Sequence, residues 1–158
     1  WVLSFPIPHR TLFAAHPELL AEMIKSDTSL IGTDVGAHLD RFFWHGAPTR
    51  VLGYWRRDKN LFSLEQAVHN ATGFPGKKLR LNRGTLKEGV PADITVFDAD
   101  KIDDLVSKKL PDMVDAQEVK RHPPGIKAVV VNGATVVEGG QCLDAFPGKV
   151  RRQQLCIN

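Results

Sequence analysis

The chain has 158 residues and a formal net charge of +3 at pH 7, with 42% hydrophobic and 25% charged residues. This composition is typical of a globular protein and argues against a disordered chain. No apolar run approaches the ~20 residues of a transmembrane helix, and the apolar start lacks the features of a signal peptide. Isolated basic pairs such as Arg56-Arg57 indicate solvated surface, not a nucleic-acid groove. We therefore expect a cytoplasmic protein that binds neither membrane nor nucleic acid.

The first part of the chain is predicted to contain helices and one strand. A helix is predicted from Pro17 to Lys25, because proline suits the first helical turn and apolar residues then share one face. These are Leu19, Leu20, Met23 and Ile24. The apolar run from Ser29 to Thr33 predicts a short buried strand that ends in a polar loop at Asp34. A second helix, weakened by Gly53, is predicted over Thr49 to Arg57.

A clearer helix follows Ser63. This serine is a good N-cap, and Gln66 stands at the position that completes a capping box. Apolar residues then recur at helical spacing, and Gly73 and Pro75 are predicted to end the helix.

The second part of the chain has the pattern of antiparallel β structure. Asp93 to Phe97 alternates polar and apolar residues like a strand. Two β-branched runs, Lys127 to Val131 and Ala134 to Val137, flank an Asn-Gly pair, which is the strongest short hairpin signal. Gly139-Gly140 predicts the next turn. The two cysteines, Cys142 and Cys156, form no CxxC pair, and thiols are favoured over a disulfide.

Asp34 is the residue with the most promising chemistry. Catalytic groups of (β/α)8 barrels lie at the C-terminal ends of strands, and Asp34 follows a predicted strand. An aspartate there can contact a metal ion and accept the proton of the metal-bound water. His38 can then hydrogen-bond the substrate or orient Asp34. An aspartate after a strand is also a common turn former, and spacing alone leaves both interpretations open.

Longer blocks of sequence carry a family resemblance. From Ser29 to Arg152, the chain is similar to the end of the amidohydrolase superfamily, and in particular to its N-acyl-D-amino-acid deacylase and D-aminoacylase branch. The blocks are GTDVGAHLD, GAPTRVLGYWRR, LFSLEQAVHNATGFP, LRLNRGTLKEGVPADITVFDAD, GIKAVVVNGATVVEGG and DAFPGKVRR.

The resemblance implies an α/β fold made of two parts. Residues 1–75 would form the last β/α units of a (β/α)8 metal-dependent hydrolase barrel. Residues 82–158 would form the C-terminal part of a small composite β-sandwich and a tail. The metal-binding histidines that the family carries on earlier strands have no counterpart here, and a whole barrel needs about 250 residues. We therefore expect this chain to be a fragment that is inactive alone.

The resemblance also implies a reaction, which is hydrolysis of a linear amide in N-acyl-D-amino acids. Asp34 matches the family's general base and metal contact, and the metal would be zinc, as one or two divalent ions. His38 and Arg41 would contact the small-molecule substrate, although Arg41 also fits a surface arginine. The other histidines are predicted to be surface or packing residues. These are His9, His16, His45, His69 and His122. Assembly into a homo-oligomer is compatible with the sequence.

Two alternatives come from different classes. The chain could be a non-catalytic remnant or an assembly module, since sheet edges that lack partner strands can pair with another chain. The parent could also be a cyclic amidase similar to dihydropyrimidinase or dihydroorotase, which shares the sandwich block. The closing segment DAFPGKVRR favours the deacylases.

Overall fold

A computed structural model describes residues 17–31, 47–103 and 123–150, and within them the fold is mixed α/β. The helices are α1 (Pro17–Lys25), α2 (Ala47–Arg50), a π-helix (Val51–Asp58), α3 (Leu64–Ala71) and α4 (Gly73–Lys78). The strands are β1 (Ile94–Phe97), β2 (Ile126–Val131), β3 (Ala134–Glu138) and β4 (Gln141–Cys142). Among these residues, all helices precede all strands in the chain. None of the described helices has the length and apolarity needed to cross a membrane.

Helix α1 has the predicted bounds, but the strand predicted after it is wrong over the residues that are described. Ser29, Leu30 and Ile31 lie outside any strand, and Gly32 and Thr33 fall outside the described ranges. Leu30 is 43% exposed, whereas Ile31 packs against the hydrophobic core. Over residues 29–31, the apolar run therefore provides one contact with the core, from Ile31, and no strand.

The helix predicted over Thr49 to Arg57 is confirmed as helical, with a geometry that the sequence did not indicate. Helix α2 continues directly into the π-helix, whose last turn includes a hydrogen bond from Lys59 N–H to Tyr54 O of 2.9 Å. That bond reaches back five residues, as in a π-helix. Such helices are rare and are mostly single-turn bulges, so tertiary contacts must stabilise this one.

The N-cap predicted at Ser63 is confirmed. Its hydroxyl accepts a hydrogen bond of 3.2 Å from the Gln66 backbone N–H, which satisfies one of the unpaired donors of the first turn of α3. Helix α3 ends at Ala71, but the predicted stop is followed at once by α4. Pro75 lies in the first turn of α4, where its missing N–H leaves no helical hydrogen bond unmade.

We expect Ser63→Ala to lower the free energy of unfolding by about 1 kcal/mol, because the Gln66 N–H loses its acceptor. The backbone hydrogen bond at Glu65 and, secondly, the Ser63 hydroxyl hold the pKa of Glu65 below its usual value. Ionised Glu65 therefore stabilises the fold at neutral pH, and this contribution is lost as the pH falls through its lowered pKa. In Ser63→Ala, an NMR titration should show a higher Glu65 pKa. Ser63→Thr keeps the hydroxyl and should keep both properties, and an unchanged stability in the alanine variant would contradict the cap.

The strands form one antiparallel sheet in the order β1-β2-β3-β4. The predicted hairpin is confirmed: Ala134 pairs with Val131, and the two turn residues between them, Asn132 and Gly133, have φ angles of 48° and 84°. Positive φ at both positions is what a type I′ turn requires, and asparagine and glycine tolerate it best. Gly139-Gly140 forms the next turn, as predicted, and leads to β4, which the sequence did not indicate.

A polar network holds the hairpin turn against the loop before β1. Arg83 forms an ion pair with Asp93, and its other terminal nitrogen donates to Asn132 Oδ1 at 2.6 Å. Asn132 N–H donates to Asp93 Oδ1 at 2.7 Å, and its side-chain amide donates to Pro147 O at 2.7 Å. The network therefore links the loop, the turn and the tail that follows β4.

One hydrophobic core joins the helical part to the sheet. Its buried members come mainly from the π-helix and α3, together with Ile102, which is 0% exposed. Phe97 of β1 and Ile126 of β2 pack against it. Cys142 is exposed in β4, and Cys156 lies outside the described residues, so the state of the two thiols stays a prediction.

Candidate functional site

The predicted site residues lie in the segment between α1 and α2. Asp34, His38 and Arg41 all lie outside the described residues, so their roles stay predictions. The described residues on either side of that segment are Ile31 and the start of α2. The described part of the structure therefore contains the two flanks of the predicted site.

Both flanks are attached to the same hydrophobic core. On the upstream side, Ile24 and Ile31 pack against it, and Asn70 of α3 donates a hydrogen bond of 3.3 Å to Ile24 O. On the downstream side, Val51 and Leu52 are core members with 4% and 9% exposure. The described residues on both sides of the segment therefore belong to one packed unit.

The π-helix meets the backbone of residues 102 and 103 without intervening side chains. A Cβ on Gly53 would lie 2.6 Å from Ile102 O and 3.2 Å from Asp103 Cα. Contacts below 3.0 Å between a Cβ and a backbone atom essentially never occur, so any larger residue would force the two elements apart. The glycine that weakens the predicted helix is thus the residue that allows this close packing.

The pair Arg56-Arg57, predicted to be solvated surface, is partly exposed, and both side chains also bind backbone carbonyl groups. Arg56 Nη1 donates to Ala99 O at 2.9 Å. Arg57 Nη1 donates to Asp100 O at 3.1 Å and to Ile102 O at 2.6 Å. The Arg57 side chain is only 25% exposed. These bonds could not be predicted from the sequence, because backbone carbonyl acceptors have no residue signature.

Arg57 also sits among acidic groups. Its Nε lies 2.7 Å from Asp58 Oδ1, and its Nη2 lies 3.9 Å from Asp103 Oδ2. The hydrogen bond with Asp58 is the main cause that raises the pKa of Arg57, and the charges of Asp58 and Asp103 add to it against the effect of burial. Arg57 therefore stays charged, and this strengthens its hydrogen bonds to the carbonyl groups.

A shallow, largely apolar depression lies beside α3 and α4. Leu64, Val68 and His69 contribute to its lining. His69 is an exposed residue whose ring lies 6.2 Å from that of Phe74, which confirms its prediction as a surface or packing histidine. The other histidines lie outside the described residues.

The predicted zinc ion would need a group of ligand side chains, and the described residues show whether they contain one. A catalytic zinc site takes about three protein ligands from histidine, cysteine, aspartate or glutamate. Within residues 17–31, 47–103 and 123–150, no three such side chains are close enough together to hold one metal ion. These parts of the chain therefore do not supply a metal site, and no catalytic step through a metal is assigned to them.

Sequence comparison finds that the chain is similar to an N-acyl-D-glutamate deacylase and to a D-aminoacylase. The chain is 34% identical to N-acyl-D-glutamate deacylase of Alcaligenes xylosoxydans xylosoxydans over 149 residues, which is 92% of this chain and 28% of that protein. It is 37% identical to D-aminoacylase of the same organism over 112 residues, which is 68% of this chain and 21% of that protein. The chain thus spans about a quarter of the length of these curated relatives.

Solved structures of a D-aminoacylase and of an N-acyl-D-glutamate deacylase are also similar to this chain. A crystal structure of D-aminoacylase, described as defining a novel subset of amidohydrolases, matches 80% of this chain and 26% of its own, with a TM-score of 0.62 and 30% identity. N-acyl-D-glutamate deacylase from Bordetella bronchiseptica, complexed with zinc and a phosphonate inhibitor, matches 81% of this chain and 27% of its own, with a TM-score of 0.59 and 31% identity. The Amidohydrolase family itself matches residues 5–137. This match covers most of the sequence, and the chain belongs to the amidohydrolase family.

Proposed function

We propose that this chain is the C-terminal part of a metal-dependent amidohydrolase that removes the acyl group from an N-acyl-D-amino acid. The observation that carries the proposal is the 34% identity to an N-acyl-D-glutamate deacylase over 92% of the chain. The matches to D-aminoacylase in sequence and in structure support the same class of substrate.

The proposed architecture assigns residues 1–75 to the end of a (β/α)8 barrel and residues 82–158 to part of a β-sandwich and its tail. The order of elements supports this division, since the described helices end at Lys78 and the first described strand begins at Ile94. The shared core implies that the two parts pack closely and are not independent units.

In the proposed reaction, water adds to the amide carbonyl carbon and the C–N bond then breaks. Asp34 accepts the proton of the attacking water and returns it to the leaving amine, so that a carboxylate and a free amino acid are formed. His38 and Arg41 would contact the substrate, with Arg41 pairing its carboxylate. The role of Asp34 is carried over from the family position that it matches, whereas the loop around Arg41 differs from the D-aminoacylase pattern.

The proposed enzyme also requires a divalent metal ion. Its ligands would lie outside the described residues. Zinc is present in the solved Bordetella enzyme, and a binuclear metal centre has been studied in D-aminoacylase. Chelation should therefore abolish the activity of the complete protein, and added zinc should restore it. Activity that persists in the demonstrably metal-free protein would contradict this part of the proposal.

The test is a substrate panel for the complete protein that contains this chain. We expect release of free amino acid from N-acetyl-D-glutamate or another N-acyl-D-amino acid, with much slower hydrolysis of the L-enantiomers. Opening of dihydropyrimidine or dihydroorotate rings instead would favour the cyclic amidase alternative. A folded protein that acts on none of these would favour the non-catalytic alternative.

We also expect the 158-residue chain to be inactive when it is produced alone. It spans 28% of the first relative named above. It also supplies one predicted metal contact, Asp34, whereas a catalytic zinc site takes about three protein ligands. The measurement is the same assay on equal molar amounts of the chain and the complete protein. Turnover by the chain alone would show that a complete site is present in it.

A further inference from the structure

The turn between β2 and β3 contains a residue pair that is chemically labile. Asparagine is a thermolabile residue, and it reacts most readily before glycine, because the next residue then has no side chain to shield its backbone nitrogen. Gly133 is exposed, and none of the described residues would come within 4 Å of a Cβ placed on it. The bulk of neighbouring groups therefore does not shield the peptide bond between Asn132 and Gly133.

The reaction to which this pair is prone is deamidation. The Gly133 backbone nitrogen loses its proton and attacks Asn132 Cγ, which forms a new N–C bond and closes a succinimide ring. The Cγ–Nδ2 bond breaks, and Nδ2 takes up a proton and leaves as ammonia. Water then opens the ring at either carbonyl carbon and leaves aspartate or isoaspartate at position 132. Water replaces ammonia in the balance, so that neither an oxidant nor a cofactor is needed.

Hydrogen bonds engage each group that takes part in this reaction. Gly133 N–H donates to Ala92 O at 2.9 Å. In the Asn132 side chain, Oδ1 accepts from Arg83 at 2.6 Å, and Nδ2 donates to Pro147 O at 2.7 Å. Ring closure requires Cγ to approach the Gly133 nitrogen and the planar carboxamide to become tetrahedral. The bonds to partners in the loop before β1 and in the tail after β4 oppose both changes.

Arg83 has two opposite effects on the carboxamide. Its positive charge beside Oδ1 draws electrons from Cγ and favours attack. Arg83 is itself fixed, however, because it pairs with Asp93 and its side chain is only 14% exposed. Asp93 also accepts a hydrogen bond of 2.7 Å from Asn132 N–H, so that one ion pair holds both the turn backbone and the carboxamide. Because a hydrogen bond from a charged donor is strong, we expect the restraint to outweigh the polarisation.

We propose that Asn132 is a deamidation site that the fold keeps unreactive, that Arg83 is the residue protecting it, and that deamidation detaches the tail after β4 from the hairpin turn. A carboxylate at position 132 has no N–H to donate to Pro147 O, and it would lie beside the carboxylate of Asp93, which repels it. Isoaspartate would also lengthen the backbone within a turn whose two central residues must both have positive φ. Either product therefore loses the contact that holds the tail.

The experiment follows the amide of Asn132 in the complete protein that contains this chain. The protein is incubated in mildly alkaline buffer, native or unfolded in guanidinium chloride, and peptide mapping by mass spectrometry measures aspartate and isoaspartate at position 132. Asn60 is an internal control, because it is exposed and its φ of 50° is close to the 48° of Asn132. It is followed by Leu61, whose side chain shields the backbone nitrogen.

We expect the unfolded protein to lose the Asn132 amide much faster than the native protein, with little conversion of Asn60 in either state. Native Arg83→Gln should lose the amide about tenfold faster than the wild type or more, the factor that one hydrogen bond to a charged group represents. Arg80→Gln removes the same charge from an exposed arginine and should match the wild type. The melting temperature shows that each variant is folded.

Equal rates in native and unfolded wild-type protein, or an unchanged or slower rate in folded Arg83→Gln, would overturn the proposal. If Arg83→Gln does not fold, the comparison of native with unfolded wild-type protein decides the question of protection. For the tail, trypsin should cut after the exposed Lys149 faster in Asn132→Asp than in the wild type. Equal cleavage would show that the tail does not depend on the amide, and would overturn that part.

Discussion

Replacing Asp34 by asparagine in the complete protein is expected to reduce kcat by about 10³-fold while the fold and the melting temperature stay unchanged. Asparagine has nearly the same shape as aspartate but cannot accept and return a proton at neutral pH. General acid–base catalysis typically contributes 10²- to 10⁴-fold, and a metal contact would add to the loss. The measurement is steady-state hydrolysis of the N-acyl-D-amino acid identified by the substrate panel.

The asparagine variant also separates the two interpretations of Asp34. If Asp34 is a turn former, its side-chain oxygen accepts a backbone hydrogen bond, and asparagine keeps that acceptor. Full turnover in Asp34→Asn together with a lowered melting temperature in Asp34→Ala would therefore identify a turn former and contradict catalysis. Asp27→Asn is a suitable control, because Asp27 is an exposed residue in the turn after α1.

The elements that the sequence predicted well depend on short-range signals. Helix α1 has a proline at its start and apolar residues on one face, and the hairpin has the Asn132-Gly133 pair that a type I′ turn favours. The cap at Ser63 depends on residues within one helical turn. In each case, the residues that determine the conformation are neighbours in the sequence, so that the pattern can be read without knowledge of the rest of the fold.

The elements that the sequence missed depend on contacts between distant residues. The π-helix needs Gly53 against the backbone of Ile102, and the Arg57 bonds need the carbonyl groups of Asp100 and Ile102. Neither contact leaves a periodic pattern. The strand predicted from Ser29 failed for a related reason, since a short apolar run does not say whether its residues pair with a strand or pack singly against a core. For the candidate site, the position of Asp34 after a predicted strand left two interpretations open, and the family resemblance favoured the catalytic one.

Gly84→Ala is expected to destabilise the chain by about 2–5 kcal/mol, the largest effect on stability among the variants considered. Gly84 has a φ of +84°, which costs an L-residue about 1–2 kcal/mol. A Cβ there would also lie 2.4 Å from Thr72 O and 2.7 Å from Thr72 C, at the junction of α3 and α4. Both contacts are with backbone, so relief requires the junction of the helices to move away from the loop before β1.

Gly89→Ala is the matched control for this close contact. Gly89 has almost the same φ, +81°, but a Cβ there would meet nothing within 4 Å. It should therefore cost only the backbone term of about 1–2 kcal/mol. Denaturant unfolding followed by tryptophan fluorescence measures both variants, because Trp55 is 6% exposed in the core. The difference between the two free energies isolates the cost of the approach of Gly84 to Thr72, and equal destabilisation would mean that the helix junction yields without cost.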